Sequence, residues 1–246
     1  MRALITRPRP DAEATATALQ AHGIATLVAP LIEIEPIDGA LDAQQLARAQ
    51  ALLITSANGA RALAAQTARR DMPVLAVGDA SADAARAAGF AQVHSAHGDG
   101  ATLAQLCRQV LAPGAGPLLH LSGQDVAGDI AGPLTAAGFT VERTILYRAR
   151  ALSDLPQALA TELAAGRLTM ALFFSPRSAA IFVNLVTAGG LAAHCASLTA
   201  FALSPAVVAA LGGLPWRHCL SAARPDQLSL LAAIDAFKST LDRSAH

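Results

Sequence analysis

The stretch Ile145-Leu146-Tyr147-Arg148-Ala149-Arg150 decides the fold, because it ends one α/β run and leads into another. The run it closes starts near Pro117. Pro117-Leu118-Leu119-His120-Leu121 reads as a strand, Ser122-Gly123-Gln124 leads into a helix stopped at Gly138, and Thr140 to Tyr147 reads as the next strand. Tyr147 is the only tyrosine of the chain. A second stretch, Leu31-Ile32-Glu33-Ile34-Glu35-Pro36, alternates apolar and acidic residues as a half-exposed strand does, which suits a linker better than a core. The two stretches are therefore expected to be where the chain crosses between two halves, with Tyr147 facing the cleft.

Working outward, Ala51-Leu52-Leu53-Ile54-Thr55, Pro73-Val74-Leu75-Ala76-Val77 and Thr169-Met170-Ala171-Leu172-Phe173-Phe174 are continuous apolar runs. Such runs are buried on both faces of a parallel sheet. Short strands are also expected over Ala3–Thr6, Gln92–His94, Leu198–Leu203 and Arg217–Leu220, with helices between them. The last helix, over 226–241, is expected to carry Leu228, Leu231, Ile234 and Leu241 on one face. About ten strands alternating with helices predict parallel sheets covered by helices. The chain also echoes itself at an offset of roughly 115–126 residues, the scale of a small domain. Leu4-Ile5-Thr6-Arg7 through Gly23 is matched by Leu119-His120-Leu121-Ser122 through Gly138.

The chain has 246 residues, 53% of them apolar and 15% charged, so it can bury a sizeable core as one large domain or two small ones. No apolar run reaches the ~18–20 residues of a membrane span. The opening Met1-Arg2-Ala3-Leu4-Ile5-Thr6-Arg7-Pro8 looks like a first strand rather than a signal peptide. Cys107, Cys195 and Cys219 are odd in number and far apart, which fits buried thiols in a reducing cytosol. Formal net charge is zero, there is no Lys/Arg run, and no row of aromatics is present to stack bases, so a nucleic-acid partner is not expected.

In open α/β sheets, ligands sit beyond the carboxyl ends of the strands. Those ends are expected at Thr6-Arg7, Ser56-Ala57-Asn58, Gly78-Asp79-Ala80-Ser81, Ser122-Gly123, Ser175-Pro176-Arg177 and Ser204-Pro205. Each couples a small hydroxyl or a glycine to a helix start, where free N–H groups and the positive dipole end favour anions. Any one serine could serve only as a helix cap. Six such turns lining one crevice would hold a polyanion without a basic surface. The G-x-G-x-x-G and Walker patterns are absent, G-x-S-x-G is absent, and His94 and His97 have no third ligand nearby for zinc.

At these strand ends the sequence resembles the uroporphyrinogen-III synthase family. The resemblance rests on Thr6-Arg7-Pro8, Thr55-Ser56-Ala57-Asn58-Gly59, Val77-Gly78 with Ser81-Ala82 and Gly89, Leu134 with Gly138 and Tyr147, and Phe173-Phe174-Ser175 before a helix. It implies an α/β fold of two flavodoxin-like domains joined by a two-stranded linker. The first domain would be discontinuous, over 1–35 plus 149–246, and the second would span 39–146, with crossings near 36–38 and 147–148. The opening unit of each half of the chain would then complete the other half's sheet. The resemblance further implies a cytoplasmic monomer, without cofactor or metal, acting on hydroxymethylbilane, a linear tetrapyrrole with eight carboxylates. Loss of water gives an azafulvene, and ring D attacks through its substituted carbon. A spiro-pyrrolenine forms and the macrocycle closes with that ring inverted. Tyr147 matches the family tyrosine that assists departure of the hydroxyl; a tyrosine there could equally brace the linker. Ser81 stands where the family often has threonine. Ser204-Pro205 departs from a glycine-threonine motif and leaves Ser204 and its helix start as the binding element. Read without the resemblance, the same turns would also suit a non-catalytic two-lobed protein that binds an organic polyanion.

Overall fold

The computed structural model describes residues 1–126 and 128–244. The chain begins β1 (Arg2–Ile5), α1 (Arg9–Ala21), β2 (Ala25–Val28), β3 (Ile32–Pro36), α2 (Ala43–Arg48), β4 (Ala51–Ile54) and α3 (Ala57–Gln66). It continues through β5 (Val74–Ala76), α4 (Asp79–Ala87), β6 (Val93–Ser95), α5 (Gly100–Val110), β7 (Leu118–Gly123), α6 (Ala131–Ala136) and β8 (Val141–Ala151). It ends with α7 (Gln157–Ala164), β9 (Met170–Phe173), α8 (Pro176–Ala188), a 3-10 segment (Ala192–Ser197), β10 (Thr199–Ala202), α9 (Pro205–Ala210), β11 (His218–Ser221) and α10 (Gln227–Ser244). Among the described residues no helix is long and apolar enough to cross a membrane.

The chain divides into two compact units, Met1–Glu33 with Arg150–His246 and Ile34–Ala149. In the first, five parallel strands lie in the order β11-β10-β9-β1-β2. Taken in chain order within the unit this is the 2-1-3-4-5 arrangement of flavodoxin-like sheets. One face packs Phe173 and Phe182 around Trp216, with ring centroids 5.1–5.8 Å apart. The other face packs Ile5, Leu172 and Phe201 under α1 and α10. On α10, Leu231 and Ile234 are buried as expected, together with Leu230, while Leu228 is 77% exposed, so the inner face takes in Leu230 in place of Leu228. The side chain of Leu241 lies outside the described residues.

In the second unit the order is β3-β8-β7-β4-β5-β6. Strands β4 to β8 pair in parallel. Taking β7 and β8 first gives the same 2-1-3-4-5 order, so this unit is a circular permutation of the other. Strand β3 is the exception. Ile37 N–H donates to the Leu146 carbonyl and Leu152 N–H donates to the Leu31 carbonyl, so β3 and β8 run antiparallel. Arg150 and Glu33 form an ion pair on the same ladder. The expected helix after Ser122-Gly123-Gln124 starts only at Ala131, and β8 runs four residues past Tyr147 to Ala151.

Candidate active site

In the second unit the carboxyl ends of β7 and β4, and the point where the pairing of β8 with β7 ends, meet at one side chain. Strand β4 is wholly apolar and buried, and it ends where Ser56 adopts extended backbone and caps α3. The Ser56 hydroxyl accepts from Gly59 N–H at 3.0 Å. A Cβ at Gly59 would lie 3.1 Å from the Leu121 carbonyl of β7, so the glycine lets the start of α3 settle against that strand. On the other side of β7, the phenol of Tyr147 reaches back across the sheet. Its ring lies over Gly123, where a Cβ would come within 2.7 Å of Cζ. Its hydroxyl is 2.8 Å from the Ser56 Oγ. Only 7% of Tyr147 is exposed, and its ring packs with Ile54, Leu119 and Leu121 on the α3 side.

Strict alternation along β8 would not put Tyr147 there. Pairing shifts between Ser122 and Gly123: Ser122 lies opposite Ile145, but Gly123 lies opposite Tyr147. The one-residue bulge puts Leu146 and Tyr147 on the same side of the sheet. Arg143 spans this irregularity. Its Nε donates to Ser122 Oγ at 2.8 Å, and its Nη2 donates to the carbonyls of Gly123 at 2.8 Å and Gln124 at 2.7 Å. Ser122 and Gly123 therefore close a strand and do not open a helix, which corrects the expectation of a helix-start anion site there. The buried Ser122 hydroxyl is occupied by Arg143 and by the Gly123 carbonyl. Opposite Arg143 on β7 sits His120, 4% exposed, with no hydrogen-bond partner for Nε2 among the described residues. Burial, then the Arg143 charge, pushes its imidazole down to about 4.

Arg143 is not among the residues expected at the site, and Gly59 enters the expectation only as the end of a family motif. The available signal for the bulge is the run Ile145-Leu146-Tyr147, three apolar side chains in succession where an alternating strand should have two. Of the other expected site residues in this unit, Ala57 opens α3 and Asn58 follows it, with its Oδ1 accepting from Arg61 at 2.6 Å. Ser81 is the third residue of α4, nearly buried, and Gly78 occupies the cap position, so Ser81 is not the capping hydroxyl.

In the first unit the ends of β10, β9 and β1 are also neighbours. Thr6 is fully buried and its hydroxyl donates to the Leu172 carbonyl, which ties β1 to β9 instead of facing outward. The Arg7 guanidinium lies 4.2 Å over the Phe174 ring and reaches Thr15 at 3.2 Å and Asp11 at 3.7 Å. Ser175 caps α8 by accepting from Ser178 N–H at 3.1 Å, and Arg177 lies exposed in the first turn of that helix. Ser204 holds the cap position of α9, and its side chain makes no capping hydrogen bond.

The model of the family described as uroporphyrinogen-III synthase HemD (HEM4) matches residues 13–232. No curated protein matches the chain in sequence. Among solved structures the chain is similar to a mutant uroporphyrinogen III synthase of the extremely thermophilic bacterium Thermus thermophilus, at 19% identity and a TM-score of 0.54 over 99% of both chains. It is similar as well to the uroporphyrinogen-III synthetase of Helicobacter pylori 26695, at 16% identity and a TM-score of 0.61 over 96% of this chain and 100% of that one. At these identities the structural likenesses speak for the fold alone. The family match extends over most of the chain and takes in Ser56, Gly123, Tyr147, Ser175 and Ser204; the chain belongs to the uroporphyrinogen-III synthase family.

Proposed function

We propose that the chain closes hydroxymethylbilane to uroporphyrinogen III, with ring D inverted, and that Tyr147 assists the step in which the hydroxyl leaves. The observation that carries this reading is the line Gly59 N–H, Ser56 Oγ, Tyr147 Oη at 3.0 and 2.8 Å, at the carboxyl ends of the strands. With Gly59 donating to Ser56, the serine hydrogen is available to the phenol oxygen. The phenol hydrogen is then left for the departing oxygen of the substrate. One water is lost overall, made of that hydroxyl and the hydrogen on the free α-carbon of ring D. A pyrrole N–H proton given up as the azafulvene forms is taken back, so all four N–H groups remain in the product. The carbon of the former hydroxymethyl group becomes the electrophile that ring D attacks.

The substrate brings eight carboxylates, and we assign their binding to the strand-end turns. Ser56, Ala57 and Asn58 offer the first turn of α3, and Ser175 with Arg177 offers the first turn of α8. Arg7 and Ser204 follow β1 and β10, the two strands that flank β9 in the first unit. Without enzyme the bilane closes uninverted, so selectivity is a matter of holding one ring. A 99:1 preference corresponds to about 2.7 kcal/mol between two transition states. One or two charge-assisted contacts, at roughly 1.5–3 kcal/mol each, cover that difference. The three free cysteines support a reducing compartment, and we infer a cytoplasmic monomer.

The test feeds hydroxymethylbilane to the purified protein, oxidises the product and separates the porphyrin isomers. Type III is expected; type I alone, at the rate of the control without protein, rejects the activity. Tyr147→Phe is expected to lower kcat roughly a hundred-fold, the low end of what a general acid contributes. It should leave the melting temperature nearly unchanged. An unaltered kcat removes Tyr147 from the reaction.

A further inference from the structure

We propose that Arg143 is the positioning residue that holds the Tyr147 phenol over Gly123, acting through the bulge between β7 and β8. This rests on the role given to Tyr147 above. Counting in steps of two from Arg143, an unbroken β8 would place Tyr147 on the same side of the sheet as Arg143 itself. The bulge turns it over to the α3 side, where Ser56 waits. A bulge leaves one residue out of the ladder and weakens the pairing around it. Arg143 supplies the missing fastening. A single guanidinium grips Ser122 on one side of the irregularity and Gly123 and Gln124 on the other, all within 2.7–2.8 Å. Beyond it, Gln124 N–H donates to the Tyr147 carbonyl at 2.9 Å and restores the ladder. The guanidinium thus fixes the turn whose other end holds the tyrosine backbone.

What Arg143 leaves unused is as informative as what it binds. Among the described residues it pairs with no carboxylate, and its acceptors are one hydroxyl and two backbone carbonyls. Charge neutralisation is therefore not its purpose. The planar fork fits acceptors on three consecutive residues, which the point charge of a lysine cannot do. Gly123 makes the arrangement consequential. The ring lies so close above its Cα that a small shift of the β7 end moves the phenol directly.

The experiment is a double-mutant cycle in kcat and KM, joined to a spectrum. Arg143→Lys and Arg143→Met are each made in the native chain and in Tyr147→Phe. In the native chain each is expected to lower kcat roughly ten-fold with KM within about two-fold, the size expected of a sub-ångström misplacement. In the Tyr147→Phe background the same changes should lower kcat less than about two-fold further, because the route of the effect is gone. The chain has one tyrosine, so ¹³Cζ-tyrosine labelling gives a single resonance, and this should move in both Arg143 variants. Full multiplication of the two losses overturns the proposal. So does a rise confined to KM, which would make Arg143 a substrate contact, or a resonance that stays in place in a folded variant. Should Tyr147→Phe itself retain kcat, the catalytic reading of Tyr147 fails, and the resonance alone then decides whether Arg143 positions the ring.

Discussion

Replacing Gly123 by alanine adds one methyl group at the point where the tyrosine ring crosses β7. No left-handed backbone is required of Gly123, so alanine meets no conformational penalty there, and the effect is steric. The new Cβ would stand 2.7 Å from Cζ, 2.8 Å from Cε2 and 2.9 Å from the hydroxyl oxygen of Tyr147. Ordinary van der Waals contact begins at 3.4 Å, so the ring must withdraw by about 0.7 Å (3.4 less 2.7). The backbone beneath it is fastened by Arg143, and the ring is buried among leucines, so the movement is taken up by the phenol. A displacement of that size along the 2.8 Å contact to Ser56 carries it to the limit of a hydrogen bond. The lost bond costs about 1 kcal/mol and the overpacking about 1–3 kcal/mol of stability. The larger consequence is catalytic, since misplacing a reacting group by about 1 Å lowers rates by up to ~10²-fold. Gly123→Ala is therefore expected to fold, to melt several degrees lower, and to turn over hydroxymethylbilane roughly ten- to a hundred-fold more slowly. The assay is the initial rate of type III product, with uncatalysed type I subtracted. A folded Gly123→Ala protein with kcat within about two-fold of the native value would refute the view that ring position over Gly123 governs the reaction.

Two other outcomes follow from the same unit. Ser56→Ala removes both the α3 cap and the partner of the phenol; thermal unfolding should show a loss of about 1 kcal/mol, and kcat should fall, while Ser56→Thr keeps the cap and most of the rate. His120 gives a pH dependence. Its folded value of about 4 lies below the ordinary 6.5, so on acidification the unfolded chain takes up the proton first. The stabilisation from keeping it neutral is complete above pH 6.5 and is lost as pH falls from there through about 4. The gap corresponds to roughly 3 kcal/mol. Urea unfolding at about pH 7.5 and about pH 4.5, on either side of that onset, should show His120→Leu losing less stability on acidification than the native chain, and an equal loss in both would discard the assignment.

Much of the fold can be read from the chain because parallel strands buried on both faces announce themselves. Ala51–Ile54 and Met170–Phe173 have no polar residue at all, and both lie inside their sheets with a neighbour on each side. The echo between the opening unit and the unit after Pro117 has a physical basis as well. In each sheet that pair of strands supplies the first and second places of the flavodoxin-like order. The failures are local. The segment before Ala131 reads as helix because Gly138 gives a clear stop, but a stop signal does not fix a start. Asp129 accepts from Gly132 N–H at 2.9 Å, and the helix begins at Ala131. Leucine spacing assigns the last helix an inner face that holds for Leu231 and Ile234, but in the first turn Leu230 is buried and Leu228 is exposed.

The candidate site is legible in its chemistry and not in its geometry, and the reason lies in the bulge. Tyrosine as the lone phenol, serine after a buried strand and glycine at a strand end are all visible as residue types. Their meeting depends on a register change of one residue, and register is a property of two strands at once. Nothing within Val141–Ala151 states which residue of β7 each side chain will oppose. Even the triplet Ile145-Leu146-Tyr147 fits a strand buried on both faces as well as it fits a bulge. Hydroxyl counting fails for a related reason. Thr6, Ser81 and Ser122 share the composition of ligand-binding turns, but each is buried in the structure, and Thr6 and Ser122 bond within the sheet ends that they close. A hydroxyl at a strand end is claimed first by the backbone groups that the strand leaves unpaired. It remains for a ligand only where some other donor or a glycine relieves it of that task. Ser56 meets the condition at one remove: Gly59 closes the helix against β7, the hydroxyl accepts that one N–H, and it still reaches the phenol that crosses above.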